Sequence, residues 1–244
     1  MLRRTLLLTI MLALLVVVSC GDSASETDTT VAGTLPAVGS ATFGADIGND
    51  FWPLAPGSSW VYEGEDEGEF EHIEVTVEDD RREVMGISAV VVRDVVTLAD
   101  GVIEDTFDWY APDDGGNVWY LGEDSKEIEN GEVISTEGSW ESGVDGAEPG
   151  VLMWSDPMAH MGEVYYQEFY EGHAEDQAEV VRQGDTVTVK AGTFDNVLVT
   201  REWDPLEPGV FELKYYAPGV GLILEEIEEG GEARIELISY NLSR

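Results

Sequence analysis

The chain has 244 residues, 51 acids against 12 bases, a formal charge of −39 and one cysteine, Cys20. So negative a chain offers no basic surface to nucleic acid or polyphosphate. A lone cysteine permits neither an intrachain disulfide nor a cysteine-based zinc site. Hydrophobic residues at 43%, with 7 Trp, 9 Tyr and 7 Phe, argue for a packed core over most of the length.

Residues 1–19 have the form of an export leader. Arg3 and Arg4 precede Thr5–Val18, an apolar run broken only by threonine and too short to span a bilayer as a helix. The run ends in Val17-Val18-Ser19-Cys20-Gly21, which resembles the lipobox of bacterial lipoproteins. The resemblance implies export, transfer of a diacylglyceryl group to Cys20 and cleavage between Ser19 and Cys20. An ordinary secretory leader with a chance cysteine is the alternative, but the single cysteine stands where the lipobox needs it. Lipid on Cys20 would anchor the mature chain to a membrane surface without spanning it. Cleavage would remove Arg3 and Arg4, leaving 10 of the 12 bases against 51 acids. Anionic headgroups then repel the domain, and the lipid alone must hold it. Gly21, rather than aspartate, follows the cysteine, which is compatible with an outer-membrane destination in a cell that has one.

Residues 20–42 are rich in Ser, Thr, Ala, Gly and Asp and are expected to form a flexible, disordered linker with a span of roughly 25 Å. A single antiparallel β domain is expected over 43–244. Phe51, Trp52 and Leu54 are placed as a plug at one end of its sheet, Pro56-Gly57 as a turn, and Trp60 and Tyr62 on one face of the first strand. In Glu69–Glu78, Ile73, Val75 and Val77 alternate with Glu74, Thr76 and Glu78. Val84–Leu98 is long, apolar and rich in β-branched residues (Val90, Val91, Val92, Val95, Val96), so it should be buried on both faces for part of its length or bent by a bulge. Ala99-Asp100-Gly101, Asp113–Asn117 and Glu129-Asn130-Gly131 punctuate the strands that follow, the last as a type I′ hairpin signal. Gly143–Gly162, dense in Gly and Pro, reads as a long ordered loop. Strands resume at Val164–Glu171, Ala174–Arg182 and Thr186–Lys190. Phe194–Trp203, Phe211–Tyr216, Val220–Ile227 and Ile235–Tyr240 then form four strands separated by Gly and Pro turns. The fold class is therefore all-β: a curved antiparallel meander of roughly ten to twelve strands, as a half-barrel or closed barrel.

Asn117–Glu123, Ser135–Trp140, Tyr166–Tyr170, Ala191–Phe194 and Tyr215–Leu222 together resemble a family of bacterial secreted or lipid-anchored β-proteins with no assigned reaction. That resemblance, over about Phe51–Tyr240, implies fold and location and lends nothing to catalysis. A remoter similarity, to the open barrels of periplasmic lipoprotein carriers, is one of fold alone.

Chemistry is sparse. No Gly-x-Ser-x-Gly occurs, and the histidines are His72, His160 and His173. No His-Glu-x-x-His or EF-hand pattern is present, and no cofactor is expected. The turns Glu65–Glu69 and Asp113–Asn117 could gather oxygen ligands for calcium, but Asp, Asn and Gly are also what turns use. The most pointed cluster is Glu171, His173, Glu175 and Asp176. If extended, Glu171, His173 and Glu175 share a face and could hold a metal or move a proton, and a solvent-facing edge is the alternative. Adjacent aromatic pairs, from Trp109-Tyr110 to Tyr215-Tyr216, place one ring inside and one outside, as core or as a stacking platform.

The sequence favours a lipid-anchored extracytoplasmic protein, non-catalytic, that binds an apolar molecule or lipid in the sheet's concavity or a protein of the envelope. A carboxylate hydrolase using His173 and a structural acidic surface protein are the alternatives. The scarcity of lysine, 3 of the 12 bases, suits a salty habitat or a solubility-selected surface equally. A surface this acidic repels itself at low ionic strength. The melting temperature is therefore expected to rise from low to molar salt, and a flat response in a thermal melt would refute this.

Overall fold

The computed structural model describes residues 33–39, 41–44 and 48–243. The leader and Cys20 lie outside them. The described chain is strand and turn, with one 3-10 turn, Pro157–His160, and no α-helix.

The first five strands form a meander: β1 (Ser59–Asp66), β2 (Glu69–Val84), β3 (Ile87–Leu98), β4 (Gly101–Pro112) and β5 (Val118–Asp124). Tight turns set their register. Glu67-Gly68 and Met85-Gly86 both have positive φ, at 49° and 83° and at 52° and 79°, the geometry that suits a two-residue hairpin. A small hairpin follows, β6 (Glu127–Glu129) and β7 (Glu132–Ser135), turned by Asn130-Gly131 as expected. Next come β8 (Trp140–Glu141), β9 (Glu148–Met153), β10 (Val164–Tyr166) and β11 (Glu168–Phe169). A second meander closes the chain: β12 (Gln177–Val189), β13 (Gly192–Trp203), β14 (Phe211–Ala217), β15 (Gly221–Glu229) and β16 (Ala233–Asn241).

All sixteen strands belong to one antiparallel sheet. Its path runs β10-β12-β13-β14-β15-β16-β1-β2-β3-β4-β5-β9-β11. The last strand pairs with the first, Leu237 opposite Tyr62 and Ile235 opposite Gly64, so the two meanders join edge to edge. The two ends of the path, β10 and β11, are consecutive pieces of one run, Val164–Phe169. At Gln167 the run changes partner. Before it, Tyr165 pairs with Ala178 of β12; after it, Glu168 pairs with Pro149 of β9. The Gln167 amide donates to Asp176 O at 2.8 Å, and its side chain donates to Leu152 O at 3.3 Å. One polar residue thus holds the corner.

Several expectations are corrected here. The strand count exceeds the expected ten to twelve because short strands form between the two meanders. Gly143–Gly162 is not all loop, since Val151, Leu152 and Met153 are buried in β9. Its glycine serves packing: a Cβ on Gly150 would fall 2.2 Å from Gln167 O. Val164–Glu171 is broken at the corner, and Ala174–Arg182 with Thr186–Lys190 is one bulged strand, β12. The strand read as Glu69–Glu78 continues through the charged stretch Asp79–Glu83, because the turn falls at Met85-Gly86. Part of the segment expected as linker lies against the body. Thr34 bridges Tyr165, its amide donating to Val164 O at 2.9 Å, which covers the free edge of β10.

The plug is in place. Phe51 and Leu54 are buried. Trp52 stands between Tyr110 and Tyr216, ring centroids 5.7 and 5.9 Å away. Asn49 holds this entry: its Oδ1 accepts from the Phe51 and Trp52 amides, and its Nδ2 donates to Gly116 O and Trp154 O.

The β1–β16 seam depends on close backbone approach. A Cβ on Gly64 would lie 1.9 Å from Arg234 O and 2.7 Å from Ile235 Cα. Gly64→Ala is expected to cost roughly 1–3 kcal/mol. Gly48→Ala, where a Cβ meets nothing within 4 Å, should stay within about 0.5 kcal/mol. Equal urea midpoints for the two variants would remove this role for Gly64.

Candidate functional site

The interior face of the sheet is polar as well as apolar. Cross-strand partners share a face, so the register places its side chains. Val75 faces Asp94, which faces Thr106. Val92 faces Asp108, and Asp108 faces Glu123. Thr200 faces Lys214, which faces Glu225, and Glu225 faces Ile235. These inward acids are buried, and Lys214 is the single buried base among the described residues.

The interior divides in two. In the half formed by β13–β15, Lys214 Nζ lies 3.1 Å from Glu202, 3.7 Å from Glu225 and 3.8 Å from Glu212. Glu202 also accepts from Thr200 at 2.6 Å and Tyr216 at 3.1 Å. Burial works against the ammonium, but Glu202, Glu225 and Glu212 outweigh it and hold its pKa well above the ordinary lysine value. Burial pushes Glu225 up, and Lys214 pulls it back only in part.

The other half, on β2–β5 and β11, presents Glu71, Asp94, Glu104, Asp108, Glu123 and Glu168 with no buried base beside them. Burial raises Glu71 to about 8, with Asp66 and Glu69 adding to the rise. Burial also raises Glu104 to about 8, against the lowering effect of the hydrogen bond that Thr106 donates at 2.8 Å. Asp94 is held well up by burial and by Asp108, Glu104, Glu225 and Glu71. Trp140 Nε1 donates to Glu168 at 2.9 Å. The Tyr120 hydroxyl lies 2.6 Å from Asp108 Oδ1 and 2.6 Å from Glu123 Oε2. A phenol has one hydrogen to donate, so one of the two carboxyls carries a proton and donates it to the phenol oxygen.

An aromatic chain lines the same interior. Tyr110 stacks on Tyr120 at 4.7 Å, and Tyr120 meets Trp140 edge-on at 5.4 Å. Trp52 joins this chain to Tyr216. The outward rings are covered and form no open platform. Arg82 lies over Trp109, Phe43 packs on Trp119, and Arg182 approaches Tyr215.

The expected cluster is not brought together as one face. Residues 171–173 form a turn closed by the Tyr170–Ala174 bridge. Glu175 accepts from the Gly172 amide at 2.7 Å, and exposed His173 stacks on Tyr170 at 4.3 Å. Asp176 is half-buried, its carboxyl raised by burial and Asp204 and lowered by Lys214. His72 pairs with Glu63 at 3.3 Å, and His160 stacks on Trp154 at 3.9 Å. Among the described residues no three His, Cys, Asp or Glu converge in a manner suited to a metal ion. The Asp113 turn is an internal device. Its carboxylate accepts from the Gly115 and Asn117 amides, Asn117 Nδ2 and Trp119 Nε1, all within 2.9 Å. In the other acidic turn Asp66 is buried while Glu65, Glu67 and Glu69 are exposed.

No protein-family model matches the chain, and no curated protein matches it. Two solved structures are similar. One is a candidate lipoprotein from Parabacteroides distasonis ATCC 8503, 14% identical, with a TM-score of 0.43, covering 81% of this chain and 100% of the other. The second is a candidate exported protein with a YmcC-like fold from Bacteroides fragilis NCTC 9343, 14% identical, with a TM-score of 0.42, covering 80% and 100%. At this level of likeness nothing about activity, ligand or location transfers.

The raised carboxyls fix how stability depends on pH. Glu71 and Glu104 move from an ordinary 4.5 to about 8. Between those values the folded state binds more protons than the unfolded state, so stability falls as pH rises. The urea midpoint is expected to be higher at about pH 5 than at about pH 8, and Glu71→Gln with Glu104→Gln should flatten the slope. A midpoint that climbs with pH would contradict the assignment.

Proposed function

We propose that this chain is a lipid-anchored, extracytoplasmic binding protein that takes a small molecule inside its curved sheet. Residues 1–19 serve as the leader, Cys20 as the lipid attachment site, the following residues as the tether, and the β body as the binding unit. The lipobox-like Val17–Gly21 supports the anchor. The interior supports the binding. Asp94 Oδ1, Glu71 Oε2 and the Tyr165 hydroxyl are buried with no hydrogen-bond partner. Buried polar atoms left so are costly, and a bound molecule that satisfies them is the simplest compensation.

This interior argues against a wholly apolar ligand or lipid tail. Hydrocarbon laid on these carboxyls would leave their oxygens unsatisfied. The polar interior therefore takes precedence over the apolar guest expected from the sequence. The exposed His173 turn, whose carboxylate partner is bonded back to the main chain, gives the hydrolase alternative no assembled acid–base pair around that histidine.

The test is to express the full chain in a bacterial host, fractionate the membranes, extract with mild detergent and record an intact native mass. The expected protein sediments with membranes and carries a lipid mass on Cys20, plus a small-molecule mass that leaves on denaturation. Cys20→Ser should release it to the soluble fraction. An unlipidated parent in the soluble fraction would remove the anchor. A chain with no retained mass, even after incubation with envelope extract, would remove the binding function.

A further inference from the structure

We propose that the base-free half of the interior binds a primary ammonium group carried on an aliphatic stem. This inference rests on the reading of the interior as a ligand site and names the ligand class. Three observations carry it. The first is unmet bonding capacity: the unpartnered oxygens of Asp94 and Glu71 are joined by Glu123 Oε1, and Asp94 and Glu71 are 5% and 2% exposed. None of these oxygens has a partner, and an ammonium, with three donors and no acceptor, satisfies them once the carboxyls give up their protons.

The second observation is the chain's own precedent. On β14 the neighbouring half of the same interior already holds a primary ammonium, Lys214, among Glu202, Glu212 and Glu225. Burial of that cation is made tolerable by carboxylates, one of which, Glu202, also accepts from the Tyr216 hydroxyl. The base-free half repeats the carboxylates and the tyrosines and lacks only the cation. Glu225 joins the two halves: it meets Lys214 at 3.7 Å and adds to the charge pressing on Asp94.

The third observation is the shape of the donor set. The carboxyls do not converge in threes as a metal requires. They are spread along a wall whose other component is the Tyr110–Tyr120–Trp140 ring chain. An ammonium needs only two or three oxygens, and its stem packs against rings. Entry of the cation favours the ionised carboxylates, so binding near neutral pH should expel protons that these groups hold when the site is empty.

Titration calorimetry of the full chain in detergent, at pH 7 and about 0.15 M salt to screen surface binding, tests this with putrescine as probe. Its uncharged analogue, 1,4-butanediol, is the control. The expected result is saturable putrescine binding with heats that differ between buffers of different ionisation enthalpy, as proton release requires. Asp94→Asn and Glu71→Gln, which preserve shape, should each weaken binding about tenfold or more and reduce the released protons. Glu74→Gln, on the outer face of β2, should change neither. Putrescine heats equal in all buffers and indifferent to Asp94→Asn would place the amine on the acidic exterior and overturn the proposal. Equal binding of butanediol would overturn the ammonium class and leave the interior site standing. Binding of neither would overturn the proposal, and the retained mass from the membrane preparation then decides separately whether the interior is a ligand site at all.

Discussion

A carboxyl group taken out of water must be protonated, paired or saturated with hydrogen bonds, and this sheet takes many of them inside. That constraint shapes the rest of the molecule. Lys214 answers it for Glu202, Glu212 and Glu225 on β13, β14 and β15. Tyr120 answers it for Asp108 and Glu123 by donating to one and accepting from the other, which is protonated. Trp140 answers it for one oxygen of Glu168. Asp94 answers it by holding its proton, and its Oδ1 finds no partner within the chain. Unlike an exposed acid, each of these groups holds its proton or its partner at a cost in desolvation that only a rigid surround can maintain.

The strand path supplies that rigidity. A sheet with free edges could splay and admit water to the carboxyls. Here β16 pairs with β1, and the run Val164–Phe169 belongs to both ends of the path. Gln167 makes the change of partner possible because its main chain and side chain each find a hydrogen bond, at Asp176 O and Leu152 O. Gly64 and Gly150 let backbones approach where a side chain would hold them apart. The same corner buries Glu168, so the path of the sheet and the composition of its core have one local origin.

Much of the fold was legible in the sequence, and the site was not. The four C-terminal strands could be read from alternation and turn residues because each is bounded by Gly or Pro. Strand β9 was hidden because the glycines and prolines that let it pack also read as loop. The interior was hidden by parity. In Phe211–Tyr216 the eye assigns Leu213 and Tyr215 to the core and Glu212 and Lys214 to water. The pairing of Lys214 with Thr200 and Glu225 turns the charged face inward. One signal was present: Asp94 lies within the run Val90–Val96, on the face it shares with Val90, Val92 and Val96, all buried, while Arg93 takes the outer face. A lone acid on the apolar face of a strand was the sequence mark of this interior.

The molecule therefore carries two acidic populations under different physical rules. Exposed acids such as Glu65 and Glu74 stand in water, where salt screens their interactions over roughly 8–10 Å. The buried ones are screened little and respond instead to protons or to an inserted cation. A surface of uniform charge keeps other chains away but selects nothing. Selectivity requires polar groups held where water cannot satisfy them, and Asp94 and Glu71 are buried with unpartnered oxygens, while the adjoining half holds the Lys214 ammonium among carboxylates.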